Sequence, residues 1–388
     1  MDFEYWWLLV FPIFFGLGWI AARIDIKHLI SQSRTLPDSY FKGLNFLLNQ
    51  QQDKAIEAFT EAARIDTETI ELHFTLGGLF RRRGEVDRAI RLHQNLVDRA
   101  DLGKEQKLAA TNELAQDFLK AGLLDRAEQL FTDLLQTNYS ETALKHLIEI
   151  YVIEKDWHQA IAAARKQMVA DPSYVKDIAH YYCELAATDT IRADYDAARK
   201  HLEEALAVDR RCVRASVLQG EIEASQGNHE LAIQAWQRVE SQNPAYLTLV
   251  ASKLLASYRQ LGKTGEGLSL LQNYLSKYDS SEILEVLYQA TLERQGPEAA
   301  YDLIRGELRQ NPTLQGLDAL LEAQLFKIPD DRRQDMQLVK NLVHQHVQKL
   351  MKYRCDNCGF KARHFHWHCP ACGRWETFPP RRREDYEV

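Results

Sequence analysis

A small residue returns in matching surroundings every thirty-odd positions along most of this chain. It is Ala55 in DKAIEAFTEA, Ala89 in DRAIRLHQNL, Ala127 in DRAEQLFTDL and Ala160 in HQAIAAARKQ. The series continues at Ala198 in DAARKHLEEAL, Ala232 in LAIQAWQRV, Gly267 in GEGLSLLQNY and Ala300 in EAAYDLIRGEL. The steps are 34, 38, 33, 38, 34, 35 and 33 residues. A fixed period of this size restricts the fold to an array in which each unit buries its apolar face only against its neighbours. The apolar spacing between residues 36 and 330 is helical throughout, so the class is all-α.

The period and the residues at each step resemble the tetratricopeptide repeat. In the second block Leu76, Gly77, Phe80, Gly84 and Ala89 fall at that repeat's positions, with His73 where Trp is preferred. In the sixth, Gly220, Gly227, Ala232, Trp236 and Pro244 match. Pro172, Pro244 and Pro312 stand where a second helix should stop. The small residues let the two helices of a unit approach closely. Gly84, Gly122, Gly227 and Gly262 are placed in the turn between them, where a left-handed backbone is easiest for Gly. Phe59, Phe131, Trp236 and Leu271, four residues after the small one, are expected to pack into the next unit. The fifth block, YCELAATDTIRADYDAA, carries extra residues that read as a longer loop. Arrays of this kind bind protein segments. Arg81, Arg82 and Arg83 could help hold an acidic partner, although a solvated turn end is the simpler reading.

Tyr5 to Ala22 is a run of 18 residues without a charge. As a helix it would extend about 27 Å, close to the bilayer core. Tyr5, Trp6 and Trp7 mark one end and Trp19 lies near the other, as interfacial aromatics do. Asp2 and Glu4 precede the run, unlike the basic start of a secretory signal, and Arg23, Lys27 and Arg34 follow it. The positive-inside rule then places the N-terminus outside and the body in the cytoplasm. The expected organisation is a transmembrane anchor (1–22), a juxtamembrane linker (23–35), about eight to nine repeats (36–330), a closing helix (331–351), a metal knuckle domain (352–380) and a tail (381–388). The closing helix carries Leu338, Leu342, Val347 and Leu350 as its apolar stripe. With no flexible linker after it, the knuckle is expected to dock on the last repeats.

Four of the six cysteines form two C-x-x-C-G pairs, Cys355/Cys358 and Cys369/Cys372. Paired soft thiolates at this spacing suit one tetrahedral metal ion, zinc or iron. Phe360, Phe365, Trp367, Trp375 and Phe378 are available to wrap it. The segment is too short for a core of its own, so metal binding would supply folding energy. His364, His366 and His368 alternate along a strand-like stretch and stay outside a tetrahedron that four sulfurs already fill. Cys183 and Cys212 read as small core residues of a protein in a reducing compartment.

The two knuckles resemble those of rubredoxin, with a shorter loop between the pairs. Anchor, repeats and knuckle together resemble the lipopolysaccharide assembly protein B family of Gram-negative bacteria over essentially the whole length. That resemblance implies a non-enzymatic inner-membrane adaptor working with the membrane-bound protease FtsH. It implies that the adaptor promotes degradation of LpxC, the committed-step deacetylase of lipid A synthesis, beside other envelope-assembly membrane proteins. The family's metal ligands correspond to Cys355, Cys358, Cys369 and Cys372.

Two other classes compete with an adaptor. A redox or iron-sensing protein would need iron with a reversible potential. A nucleic-acid reader of zinc-ribbon type would draw on the eight Lys/Arg against five Asp/Glu from Lys352 onward. The whole chain is net −7, so no global basic field supports nucleic acid as a partner. No Ser-His-Asp, phosphate-binding glycine loop or paired-carboxylate signature points to an enzyme.

Overall fold

The computed structural model describes residues 38–65, 69–278, 280–380 and 383–384. The expected anchor and linker lie outside them. Among the described residues no helix is long and apolar enough to cross a membrane.

The chain divides at His146/Leu147 into two compact units. The first contains α1 (Asp38–Leu48), α2 (Gln52–Ile65), α3 (Ile70–Arg83), α4 (Val86–Asp98), α5 (Lys104–Lys120) and α6 (Leu124–Leu134). It ends within α7 (Ser140–Glu154). The second continues through α8 (Trp157–Gln167), α9 (Tyr174–Ile191), α10 (Tyr195–Val208), α11 (Val213–Ser225) and α12 (His229–Gln242). A short 3-10 turn (Pro244–Leu249) leads to α13 (Ala251–Gln260), α14 (Thr264–Tyr278), α15 (Ser281–Gln295), α16 (Pro297–Gln310), α17 (Leu314–Leu325) and α18 (Asp330–Leu350). Consecutive helices pair as antiparallel hairpins, three in the first unit and five from α9 to α18 in the second. The all-α repeat fold expected from the period is the fold observed.

The repeating small residue is the reason the hairpins close. Ala55, Ala89, Ala127, Ala160, Ala198, Ala232 and Ala300 have no exposed surface. A second set of glycines faces them across the hairpin. A Cβ on Gly43 would lie 2.7 Å from the Phe59 ring, and one on Gly220 would lie 2.3 Å from Trp236 Nε1. Trp236 Nε1 donates to the Val217 carbonyl at 3.1 Å, so its polar edge is satisfied inside the core. Phe59 and Trp236 therefore fill the gap over the first helix of their own hairpin, and each also joins a core cluster that runs into the next hairpin, as expected. Phe131 also reaches forward, stacking on His146 at 4.9 Å.

The turn glycines behave as expected, with φ of 87° at Gly84, 75° at Gly122, 81° at Gly227 and 72° at Gly262. Lys155 and Ala193 adopt the same left-handed region without being Gly. In the fifth block the extra residues lengthen the helix, not the loop: α9 has 18 residues and only three separate it from α10. Pairing along one more helical turn satisfies those backbone groups internally, which a longer loop would leave to water.

α18 is the second helix of the last hairpin, and it hands over directly to β1 (Met351–Arg354). β1 pairs antiparallel with β2 (Lys361–Ala362) and β3 (Arg383–Glu384), in the order β2-β1-β3. The expected tail thus contributes a strand. Of the expected closing stripe, Val347 is buried while Leu338 and Leu342 are 61% and 60% exposed.

In the first unit, Gly77 holds a special place. Its missing Cβ makes room for His93, whose Nε2 would be 2.4 Å away. His93 Nδ1 meets Asp117 Oδ2 at 2.5 Å, both fully buried, and Asp117 also accepts from Arg81 Nη1 at 2.7 Å. The adjacent Gly78 has nothing within 4 Å of where its Cβ would stand. Gly77→Ala should therefore destabilise the first unit by about 1–3 kcal/mol through overpacking. Gly78→Ala should be neutral or stabilising by up to about 1 kcal/mol, because Ala is the better helix former. Urea denaturation followed by circular dichroism checks both, and equal midpoints for the two variants would contradict this packing.

Candidate metal centre and its docking surface

The two knuckles are built alike. In each, the first cysteine's amide donates to a carbonyl five residues on: Cys355 N to Phe360 O, and Cys369 N to Arg374 O, both 2.9 Å. In each, the glycine amide returns to the first cysteine's carbonyl: Gly359 N to Cys355 O, and Gly373 N to Cys369 O, both 2.9 Å. The glycines hold φ of 77° and 65°, a region a side chain would strain. The turn amides are left pointing at sulfur. Those of Asn357 and Cys358 face Cys355 Sγ, and those of Ala371 and Cys372 face Cys369 Sγ.

This brings together all four cysteines expected as ligands. Their sulfurs lie within 4.8 Å of one another, with Cys355–Cys372 and Cys358–Cys369 both at 3.8 Å. Metal–sulfur bonds of about 2.3 Å in a tetrahedron have edges of about 3.8 Å. A disulfide would need about 2.05 Å. The donor set therefore fits one tetrahedral ion. None of His364, His366 and His368 joins it. His364 is exposed, His366 lies edge-on to Phe378, and His368 packs on Trp375. Of the expected strand-like stretch, a single bridge between His368 and Trp375 forms, and β2 lies just before it.

The thiols are electrostatically unequal. Burial raises Cys355, but the Thr377 hydroxyl at 3.3 Å and the turn amides outweigh it and bring the thiol down to about 6. Burial pushes Cys369 up to about 12. Four thiolates this close repel one another, and a bound cation is what lets all of them ionise.

Of the five aromatics expected to wrap the site, Phe378 is fully buried against Cys355 and Cys369, with Phe365 beside it. Phe360 is 40% exposed. The two tryptophans turn the other way and anchor the knuckle to the hairpins. Trp375 stacks on His180 of α9 at 4.7 Å and 10°, with the Arg214 guanidinium 5.4 Å from the ring. Trp367 stacks on Tyr246 at 5.3 Å and 10°. Thr248 donates to the Pro380 carbonyl at 3.1 Å. The knuckle thus docks on α9, α11 and the 3-10 turn. The last repeats, where it was expected, are not its seat.

Glu376 pins this contact. Its backbone sits at φ 51°, uncommon for a side-chain-bearing residue, and delivers the carboxylate between two partners. His180 Nε2 lies 3.3 Å away and Lys176 Nζ 3.5 Å away. Burial would raise this carboxyl, but His180 and Lys176 hold it below its usual range. Burial pushes the His180 imidazole down from the usual 6.5 against the pull of Glu376. Cys212 completes a trio with His180 and Glu376 whose ligand atoms also lie within 4.8 Å. Lys176 and Arg214 already bring positive charge to the same place, so this cluster is an ion-paired anchor. Cys183 and Cys212 are fully buried, with sulfurs 3.8 Å apart, as expected of core residues.

Comparison with known proteins decides the family. Lipopolysaccharide assembly protein B of Escherichia coli strain K12 is 36% identical over 382 residues, covering 97% of this chain and 98% of its own. Its counterpart from Haemophilus influenzae is 31% identical over 390 residues, again covering 97% and 98%. The chain belongs to the lipopolysaccharide assembly protein B family. A family model described as a rubredoxin metal binding domain matches residues 353–380, and a tetratricopeptide repeat model matches 192–246. Among solved structures, MamA of Desulfovibrio magneticus RS-1 is similar over 45% of this chain and 98% of its own, at 17% identity and a TM-score of 0.35.

In this member of the lipopolysaccharide assembly protein B family, sequence reasoning named the four cysteines that the fold brings together and missed the seat. His180, Arg214 and Tyr246 lie far from the knuckle in sequence. Their only signal is two polar residues and a tyrosine in otherwise apolar surroundings, AHYYCELA, VRASVL and PAYLTL.

The His180 shift has a consequence for pH. The undocked imidazole takes up a proton near 6.5, the docked one only at lower pH, so the undocked state binds more protons in between. Docking should therefore weaken as pH falls below about 6.5, by up to about 1.4 kcal/mol per pH unit. Hydrogen exchange of the Trp367 and Trp375 indoles measures it. His180→Phe, which keeps the stack, should lose this part of the dependence, and an unchanged pH profile would refute the assignment.

Proposed function

We propose that this protein is a non-enzymatic adaptor of lipopolysaccharide assembly. Residues 5–22 tether it to the bacterial inner membrane as a single span, with the N-terminus periplasmic and the hairpins cytoplasmic. It brings the deacetylase LpxC to the membrane-bound protease FtsH, and other envelope-assembly membrane proteins are further partners. The observation that carries this reading is likeness to lipopolysaccharide assembly protein B along 97% of the chain, through hairpins and knuckle alike. A tether confines the adaptor to the plane of its partners and raises effective concentration without new contacts.

In this reading Cys355, Cys358, Cys369 and Cys372 hold one zinc or iron ion. When bound, the ion supplies folding energy to a segment too small to fold alone. The chain's own residues do the rest. The turn amides orient the sulfurs, Phe378 excludes water, and Trp367, Trp375 and Glu376 fix the knuckle to the hairpins. Stacking of buried Trp375 and half-buried Trp367 on that seat also occupies aromatic faces that a nucleic-acid reader would present.

The test is LpxC half-life in bacteria lacking their own family member and supplied with this chain. The full chain should shorten the half-life several-fold, and deletion of residues 1–22 should abolish most of the effect. An unchanged half-life with the full chain sinks the proposal. In parallel, Cys369→Ser should cost the chain its single bound metal ion by elemental analysis. It should also release the knuckle to limited proteolysis.

A further inference from the structure

We propose that the outward face of the knuckle's three-stranded sheet is a second contact with the bilayer, one that selects anionic phospholipid headgroups. The inference rests on the tether reading and assigns a surface that the tether itself does not require.

The register of the sheet sorts its residues into two sets. Met351 pairs with Glu384 and Tyr353 with Ala362, while Lys352 pairs with Arg383 and Arg354 with Lys361. Directly opposed residues share a face, and so do residues two apart on one strand. Positions 352, 354, 361 and 383 therefore form one face, and all four are Lys or Arg. Tyr353 and Ala362, of the other set, pack on the buried Cys355, Cys369 and Phe378, so the basic face is the outer one. Arg354 and Lys361 are exposed, as is Arg363 two positions beyond Lys361.

Folding does not call for this arrangement. Like charges directly opposed across a strand pair are destabilising, and both opposed pairs of this face are like-charged. Asp356 lies on the first cysteine turn, outside the four positions, and Glu376 is committed to Lys176 and His180 in the seat. The whole chain is net −7, so the cationic face is a local feature and not a consequence of composition. An anionic ligand relieves the repulsion that the fold leaves in place.

Three features favour a lipid surface over other polyanions. Strands of four, two and two residues present the charges as a small plateau, which suits a plane of headgroups. Phe360, 40% exposed, immediately precedes Lys361, an aromatic set among cations as in interfacial segments. Trp367 and Trp375 are stacked on Tyr246 and His180, so their faces are not offered to bases. Each Lys or Arg near an anionic surface strengthens partitioning about fivefold, so this face alone binds weakly. A tethered protein can use a weak contact, because the tether already supplies a high local concentration. The cytoplasmic leaflet, on the side of the hairpins in that reading, is the anionic one.

The test is reductive methylation of Lys361, read by mass spectrometry, on the full-length protein in lipid nanodiscs. Discs of phosphatidylcholine alone are compared with discs containing about one-third phosphatidylglycerol. Lys361 should react about threefold or more slowly in the anionic discs, and salt at about 1 M should remove the difference. Arg354→Gln combined with Arg363→Gln should abolish the difference, at about fivefold per charge. Arg354→Lys combined with Arg363→Lys should restore it, and elemental analysis of bound metal checks that the knuckle is intact in both variants. Equal Lys361 rates in the two kinds of disc, or a difference that survives the two Gln substitutions, overturns the proposal and leaves the tether standing. Protection of Lys361 by single-stranded RNA and not by phosphatidylglycerol puts a nucleic acid on the face and overturns it too. A full chain that fails to insert into discs removes the tether reading, and the face is then read by sedimentation with phosphatidylglycerol vesicles. Salt-sensitive sedimentation that the Gln substitutions abolish upholds the face without the tether, and its absence overturns both.

Discussion

Close approach of two helices within a hairpin is the constraint on which this protein is built. A helical pair has too little apolar surface to stand alone, so it must fit tightly and then be stacked upon. Seven alanines with no exposed surface supply the fit on the second helices. Gly43, Gly77 and Gly220 supply it on the first, each vacating the space that a large ring then fills. The rings are Phe59, His93 and Trp236, and two of the three bring a polar edge with them. Trp236 resolves that edge with one backbone carbonyl. His93 satisfies only its Nδ1, through Asp117, which recruits Arg81 and Glu113, while the Nε2 over Gly77 stays without a partner. A choice made for packing thus creates a buried polar network that engages Arg81 of RRRGE.

The C-terminal knuckle lives under a different constraint. Its core is little more than two cysteines and Phe378, so it has no capacity to fold on hydrophobic burial alone. Two external supports substitute for a core. Four sulfurs spaced for a tetrahedral ion close it from within. Two tryptophans, spent on the hairpins and not on the ion, close it from without. Glu376 completes the seat at a left-handed backbone position, stabilised there by Lys176 and His180. The four cysteines and the docking tryptophans alternate within one short stretch of sequence, the sulfurs turned inward and the indoles toward the hairpins.

Local chemistry was legible from the amino-acid order. The left-handed glycines at 84, 122, 227 and 262 and the two C-x-x-C turns depend on residues a few positions apart, and the alanines show their period by recurring every 33 to 38 residues. Short-range sterics and thiolate spacing dictate them whatever the rest of the chain does. Only the tertiary structure decided that Phe59 and Trp236 also fill the gaps over Gly43 and Gly220, and that the fifth block's surplus extends a helix. It alone decided that the knuckle sits on α9, α11 and the turn at Tyr246, and that Arg81 and Arg83 are paired. Those outcomes join residues tens to hundreds of positions apart, and periodicity carries no information about which distant surfaces are complementary in shape and charge.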